Sequence, residues 1–220
     1  MTYGSVYEIT NPLTSVAKQH FVEWFSGKQL DTKWNLTNIN GGTSGAMNSK
    51  WWSTDFGGYQ VSFTTAANAW GGITYNNAVR PFDLQDNTTI WTAKRTFGSA
   101  AGGFRCGTSN VVNTTENNTV TWSSNTTASP TGKFFIWTKV EAEGWGQVKV
   151  ESDVIIDDYW HTGKLESKPS GINFTLDGVL KATHGTGQGS VKAQPFATGT
   201  GSGTESGRSF NVRYCEAWNT

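Results

Sequence analysis

The chain has 220 residues, enough for one large β domain or two small ones. Lys plus Arg equals Asp plus Glu at 17 each, so no basic stripe is available to neutralise phosphates, which argues against nucleic acid and against a polybasic membrane surface as partners. The longest apolar runs are a few residues long and argue against a membrane-spanning helix, and the opening MTYGSVYEITNPLTSVAKQ lacks the basic start and apolar stretch of a secretory signal. Eleven Trp and 26 Gly stand among many Thr, Asn and Ser, the profile of short strands joined by tight polar turns. No segment sustains an i, i+3, i+4, i+7 apolar pattern.

In chain order, residues 1–20 form an arm. Tyr3, Val6, Tyr7 and Ile9 supply apolar area before Asn11-Pro12 breaks the run. Two readings stay open: an edge strand on the chain's own domain, or an extended arm lying on a neighbouring subunit. Residues 21–220 read as a single domain. Strands are predicted over 59–64, 71–75, 82–94 (with a turn at 85–87), 103–107, 119–122, 133–140, 147–156 and 209–218. Residues 172–182 form a hairpin about Asp177-Gly178, a turn that needs positive φ at its central residues. The Gly/Thr-rich stretch 185–207 reads as a long surface loop. Ten or more short strands imply an all-β, two-sheet antiparallel sandwich.

Several residues could carry function. Glu141 and Glu143, two apart, would share one strand face with Lys139 and Trp145, while Val140 and Ala142 face a core. A carboxylate pair beside an indole is what a glycosidase needs, but a solvated strand face is the favoured reading. Adjacent Trp51 and Trp52 cannot both point inward on a strand, so at least one belongs to an interface or a sugar platform. Trp34, Trp91, Trp137 and Trp218 are expected in the core. Cys106 and Cys215 read as small buried hydrophobes, with a disulfide between them as the alternative. Three scattered His argue against zinc. No calcium loop appears, and Asp157-Asp158 reads as a turn, so neither metal nor cofactor is expected.

Two stretches carry a family resemblance. Phe25, Ser26, Gly27, Leu30, Asp31 and Trp34 match the opening "fsg-x-x-Leu-Asp-x-x-Trp" of many sugar-active or sugar-binding jelly rolls. Trp160-His161, followed by a strand and then FTLDGVL, resembles their late strands. The chain is thus similar to concanavalin A-like jelly rolls: laminin-G-like modules, laminarinase-type glycosidases and their non-catalytic relatives. The resemblance implies a jelly-roll sandwich preceded by a short arm. The laminarinase-type Glu-x-Asp-x-x-Glu strand is replaced here by Glu-Ala-Glu-Gly-Trp, which lacks the central Asp and the third acid. A polysaccharide lyase of this fold would draw on His161, His184, Tyr159, Tyr214, Arg105 and Arg213, but its strand motifs are missing. The closing FNVRYCEAWNT, with FVEWFSGKQLD, also resembles small jelly-roll proteins carried on tailed-phage particles. That likeness implies a non-enzymatic virion surface protein, a capsid decoration or tail component made in the host cytoplasm. Its partners would be capsid or tail subunits, further copies of itself and host-surface glycans. The alternatives are a free-standing carbohydrate-binding module or lectin, and then a glycoside hydrolase or polysaccharide lyase.

Overall fold

In a computed structural model of the chain, the described residues are 19–25, 30–39, 58–62, 69–75, 80–96, 102–110, 118–124, 131–140, 147–201 and 209–219. Among them, fifteen strands form two antiparallel sheets. The first sheet runs, in spatial order, β1 (His20–Trp24), β15 (Ser209–Asn219), β6 (Asn87–Thr96), β11 (Trp160–Lys168), β12 (Gly171–Leu176) and β13 (Val179–His184). Strand β3 (Tyr59–Ser62) also pairs with β15. The second sheet runs β10 (Gln147–Ile155), β9 (Lys133–Lys139), β8 (Thr119–Ser123), β7 (Gly102–Ser109), β14 (Lys192–Gly201), β4 (Ala69–Tyr75) and β2 (Trp34–Ile39). Strand β5 (Phe82–Asp83) pairs with β14 and leads through a 3₁₀ turn at Leu84–Asp86 into β6. No helix among the described residues is long and apolar enough to cross a membrane.

Period-two alternation decides which side chains enter the core. In the first sheet Trp91, Leu165, Phe174 and Cys215 point inward, and in the second Phe104, Cys106, Trp122, Phe134 and Ile136 meet them. The core has two aromatic centres. Trp34 touches Phe21, Phe25 and Trp91 at one, with ring centroids 5.2–5.8 Å apart. Trp122 meets Phe104, Phe134 and Phe174 at 4.9, 5.9 and 6.0 Å at the other. Offset and edge-on aromatic pairs of this kind add about 1 kcal/mol each beyond the area they bury. The Trp122 indole lies so close to β11 that a Cβ on Gly163 would stand 2.3 Å from it. Both cysteines are free and buried, and burial pushes both thiols well up.

The Asp-Gly hairpin forms as its chemistry requires. Asp177 has φ +50° and Gly178 φ +84°. Asp177 also ties the turn to β11, its N–H donating to the Thr162 carbonyl at 2.9 Å while its Oδ1 accepts from the Thr162 N–H at 2.8 Å. Its Oδ2 lies 2.6 Å from His161 Nδ1, and Asp157 Oδ1 lies 2.8 Å from Nε2 of the same ring. Asp157 and Asp158 do form the connection between β10 and β11, where Arg95 Nε reaches Asp158 at 2.7 Å.

Two expectations need correction. The stretch 185–207 is not one surface loop: residues 192–201 form β14, a central strand hydrogen-bonded to both β7 and β4. Its inward positions, Ala193, Pro195, Ala197 and Gly199, are small, and its outward neighbours Gln194, Phe196 and Thr198 are buried as well. A strand shielded on both faces shows no polar/apolar alternation, and its small residues mimic a turn-rich loop. Second, only Trp34 and Trp91 of the four expected core indoles lie between the sheets. Trp137 pairs with Thr121 and Trp218 with Thr88, so each stands on the outer face of its sheet. The parity of their strands, not their size, places them.

Two buried groups make stability depend on pH in the same direction. Glu23 points inward from β1 against Trp34, whose indole N–H reaches it at 3.4 Å. Burial pushes its pKa up to about 7, against a hydrogen bond from Trp34 that pulls it down. A raised carboxyl pKa stabilises the fold below the ordinary value of 4.5, and that contribution is lost as pH rises to about 7. For His161, burial opposes the charged ring, but the hydrogen bonds to Asp177 and Asp157 outweigh it and raise the pKa. Its stabilisation is full below the ordinary 6.5 and is lost as pH passes the raised value. Chemical denaturation from pH 4.5 to 9 will show these two losses. Glu23→Gln removes the lower one, about 3 kcal/mol at most, and His161→Gln removes the upper one. Gly163→Ala forces a methyl into the Trp122 ring and lowers stability by about 2–3 kcal/mol, read as a fall in thermal midpoint.

Candidate functional site

The outer face of the second sheet is built in rows that follow from strand register. One row crosses the sheet as Lys149, Trp137, Thr121, Gly107, Phe196, Thr74 and Asn35. On one side of it lie Gln147, Lys139, Thr119, Ser109 and Gln194, and on the other Glu151, Phe135, Ser123, Arg105 and Thr198. Trp137, Phe135 and Phe196 are 3%, 1% and 0% exposed, yet none belongs to the core cluster between the sheets. The second sheet is thus shielded from water on both sides in its middle. At the margins the face opens: Gln147, Lys149 and Asn35 are exposed, and Arg105, Lys139 and Glu151 are half-buried.

The chemistry of the face is hydroxyls around aromatic rings. The Arg105 guanidinium lies over the Trp137 ring, 3.4 Å from its centroid, a cation–π contact that fixes both side chains. Most hydroxyls here are already engaged. Ser109 and Thr119 bond each other at 2.6 Å, Thr121 donates to the Trp137 carbonyl at 3.2 Å and Ser123 to the Phe104 carbonyl at 3.1 Å. Thr198 Oγ1 and Trp137 Nε1 are different: both are buried and neither has a hydrogen-bond partner. A buried polar atom without a partner costs about 1–3 kcal/mol, so these two atoms are energetically exceptional on this face. No group of three metal-ligating side chains occurs among the described residues.

Tyr3, Val6, Tyr7, Ile9, Trp51, Trp52, Glu141, Glu143 and Trp145 all lie outside the described residues. The set expected of a lyase is not assembled. Arg105 stacks on Trp137, Arg213 stacks on Trp160 at 4.4 Å, Tyr214 bonds Glu216, His161 is held by two aspartates and His184 Nδ1 accepts from the Thr186 N–H. Tyr159 is 74% exposed. Sequence reasoning missed Arg105–Trp137 and Thr198 as a site. The signal for the first was the parity of KFFIWTKV, whose Phe135 and Trp137 fall opposite Phe134 and Ile136; Thr198 was hidden by the loop assignment.

No family model matches the chain, and no curated protein does. Solved structures do. The carbohydrate recognition domain of Emp47p matches with TM-score 0.60 at 11% identity, over 90% of this chain and 94% of that one. A protein of unknown function from Shewanella oneidensis MR-1 matches with TM-score 0.62 at 14% identity, over 94% and 89%. The Crh5 transglycosylase in complex with NAG matches with TM-score 0.62 at 12% identity, over 91% and 84%. Two antiparallel sheets in this order, matched along nine-tenths of the chain, make its fold the concanavalin A-like jelly roll.

Proposed function

We propose that the chain is a non-catalytic carbohydrate-recognition sandwich that holds a saccharide on the outer face of its second sheet. The observation that carries this reading is the pairing of a guanidinium-clamped indole with two buried, partnerless polar atoms, Trp137 Nε1 and Thr198 Oγ1. A sugar presents the matching surface. Its hydroxyls both donate and accept, which suits the charged groups at the margin of the face, Arg105, Lys139, Lys149 and Glu151. A few placed polar groups in a mostly apolar, shielded site are what fix the orientation of a small ligand. The likeness to Emp47p's carbohydrate recognition domain supports the same class of ligand, since that protein shares the fold.

Against hydrolysis stands the sequence itself: Glu-Ala-Glu-Gly-Trp at 141–145 lacks the central Asp and the third acid of the laminarinase-type strand. The finer reading, docking on a virion surface with the glycan belonging to a host cell, rests on the phage-particle resemblance of the two terminal sequences. It adds the arm residues Tyr3, Val6, Tyr7 and Ile9 as the contact to a capsid or tail subunit.

Thr198→Val tests the reading through two opposite effects. It removes a partnerless buried hydroxyl, so the unliganded fold gains about 1 kcal/mol. It also removes a sugar contact, so glycan-array and calorimetric affinity fall about five- to tenfold. Trp137→Phe gives a similar loss of affinity. Unchanged affinity in both variants refutes the site. Hydrolysis products from the wild-type chain that vanish in Glu141→Gln or Glu143→Gln refute the non-catalytic assignment.

A further inference from the structure

The first sheet carries a second aromatic surface, on the side of the molecule opposite the face just described. Strand β1 turns Phe21 and Glu23 inward, so His20, Val22 and Trp24 face out. Register sets His20 beside Trp218, Val22 beside Glu216 and Trp24 beside Tyr214. Trp24 is 60% exposed, and its ring lies 4.5 Å from that of Tyr214. His20 packs edge-on to Trp218 at 6.0 Å. Between these two aromatic pairs stands Glu216. Its Oε1 lies 2.8 Å from His20 Nε2, and its Oε2 accepts from the Tyr214 hydroxyl at 2.5 Å.

We propose that this patch is a second saccharide-binding surface, for a neutral oligosaccharide lying along β15. Tyr214 and Trp218 are four residues apart, so the two aromatic pairs are separated by roughly 13 Å along the strand. That leaves room for a sugar over each pair with the carboxylate between them. A carboxylate has about four acceptor positions. His20 and Tyr214 occupy two and fix its orientation, and the others face outward to accept from sugar hydroxyls. The charge selects the ligand: a uronate chain is repelled, and a second protein surface is disfavoured because interface centres are depleted of charged side chains. The residues are distinct from those of the second-sheet face, so the two sites stand or fall separately.

Titration of the full chain with cellohexaose and laminarihexaose, followed by calorimetry and by the Trp indole N–H resonances, tests this. The expected result is two sites per chain for at least one of the hexasaccharides. Trp24→Ala reduces the count to one, Trp24→Phe retains two, and Glu216→Gln weakens the second site about tenfold. A hexauronate leaves the Trp24 resonance unmoved. Trp24 is exposed, so its replacement leaves the fold intact and the thermal midpoint is the control. The proposal is overturned if Trp24→Ala keeps the wild-type count, if neither hexasaccharide shifts the Trp24 resonance, or if sedimentation shows a dimer that Trp24→Ala dissociates. One Trp24-dependent site that Thr198→Val does not touch would uphold this surface and sink the second-sheet face.

Discussion

The Trp122 indole on Gly163 is the contact on which the sandwich depends. It joins β8 of one sheet to β11 of the other with nothing between ring and backbone. A side chain at 163 would hold the sheets apart and loosen the ring's contacts with Phe104, Phe134 and Phe174 together. Close approach here is also what lets the flanking elements meet. The His161 ring, two residues before Gly163, packs edge-on to Phe134 at 4.9 Å and from there gathers Asp157 and Asp177. One glycine thus sets the distance between the sheets, and the sheet spacing sets a turn, a strand connection and a proton-sensitive ion cluster.

The second sheet works differently from the first because both its faces are shielded in the middle. Burying one face of a sheet is the ordinary way to build a sandwich. Burying the other, with Trp137, Phe135 and Phe196 set among hydroxyls, forms a second and more polar interior. Arg105 over Trp137 keeps that interior ordered, since neither side chain can turn without losing the other. The first sheet, besides its inward Trp91 and Phe174, carries aromatic groups on its outer face, where Trp24, Tyr214 and Trp218 frame Glu216. Chain composition alone does not distinguish these uses of tryptophan. Strand register does.

Much of the fold was legible in the sequence where alternation was clean. KFFIWTKV appears close to its predicted bounds because it is one continuous apolar run, and QVKVESDVII and the Asp-Gly hairpin do so because side chains alternate along them and turn chemistry marks their ends. Strand β14 was not legible, since QPFATGTG is small on one face and mixed on the other and offers no period to read. The same cause hid Thr198. Trp137 and Trp218 were assigned to the core by type, when counting from Phe134 and from Cys215 would have put them outside. The carboxylates and paired tryptophans that drew attention as candidates fall outside the described residues, so they neither support nor weaken the face that the register brings together.

The position of β15 has a consequence for how the molecule comes into being. This strand lies between β1 and β6 and also pairs with β3, so it is an interior strand of the first sheet although it is the last of the described strands in sequence. Strand β1, with its inward Phe21 and Glu23, has its partner only when residues 214–218 have been made. During synthesis almost all of the intervening chain therefore emerges before β1 and β15 can meet. Pairing across such a separation is slow to form. In that interval the edges of β1 and β6 are open to any other strand. The first sheet thus closes only when segments far apart in sequence meet, and its unfinished edges must be kept apart until they do.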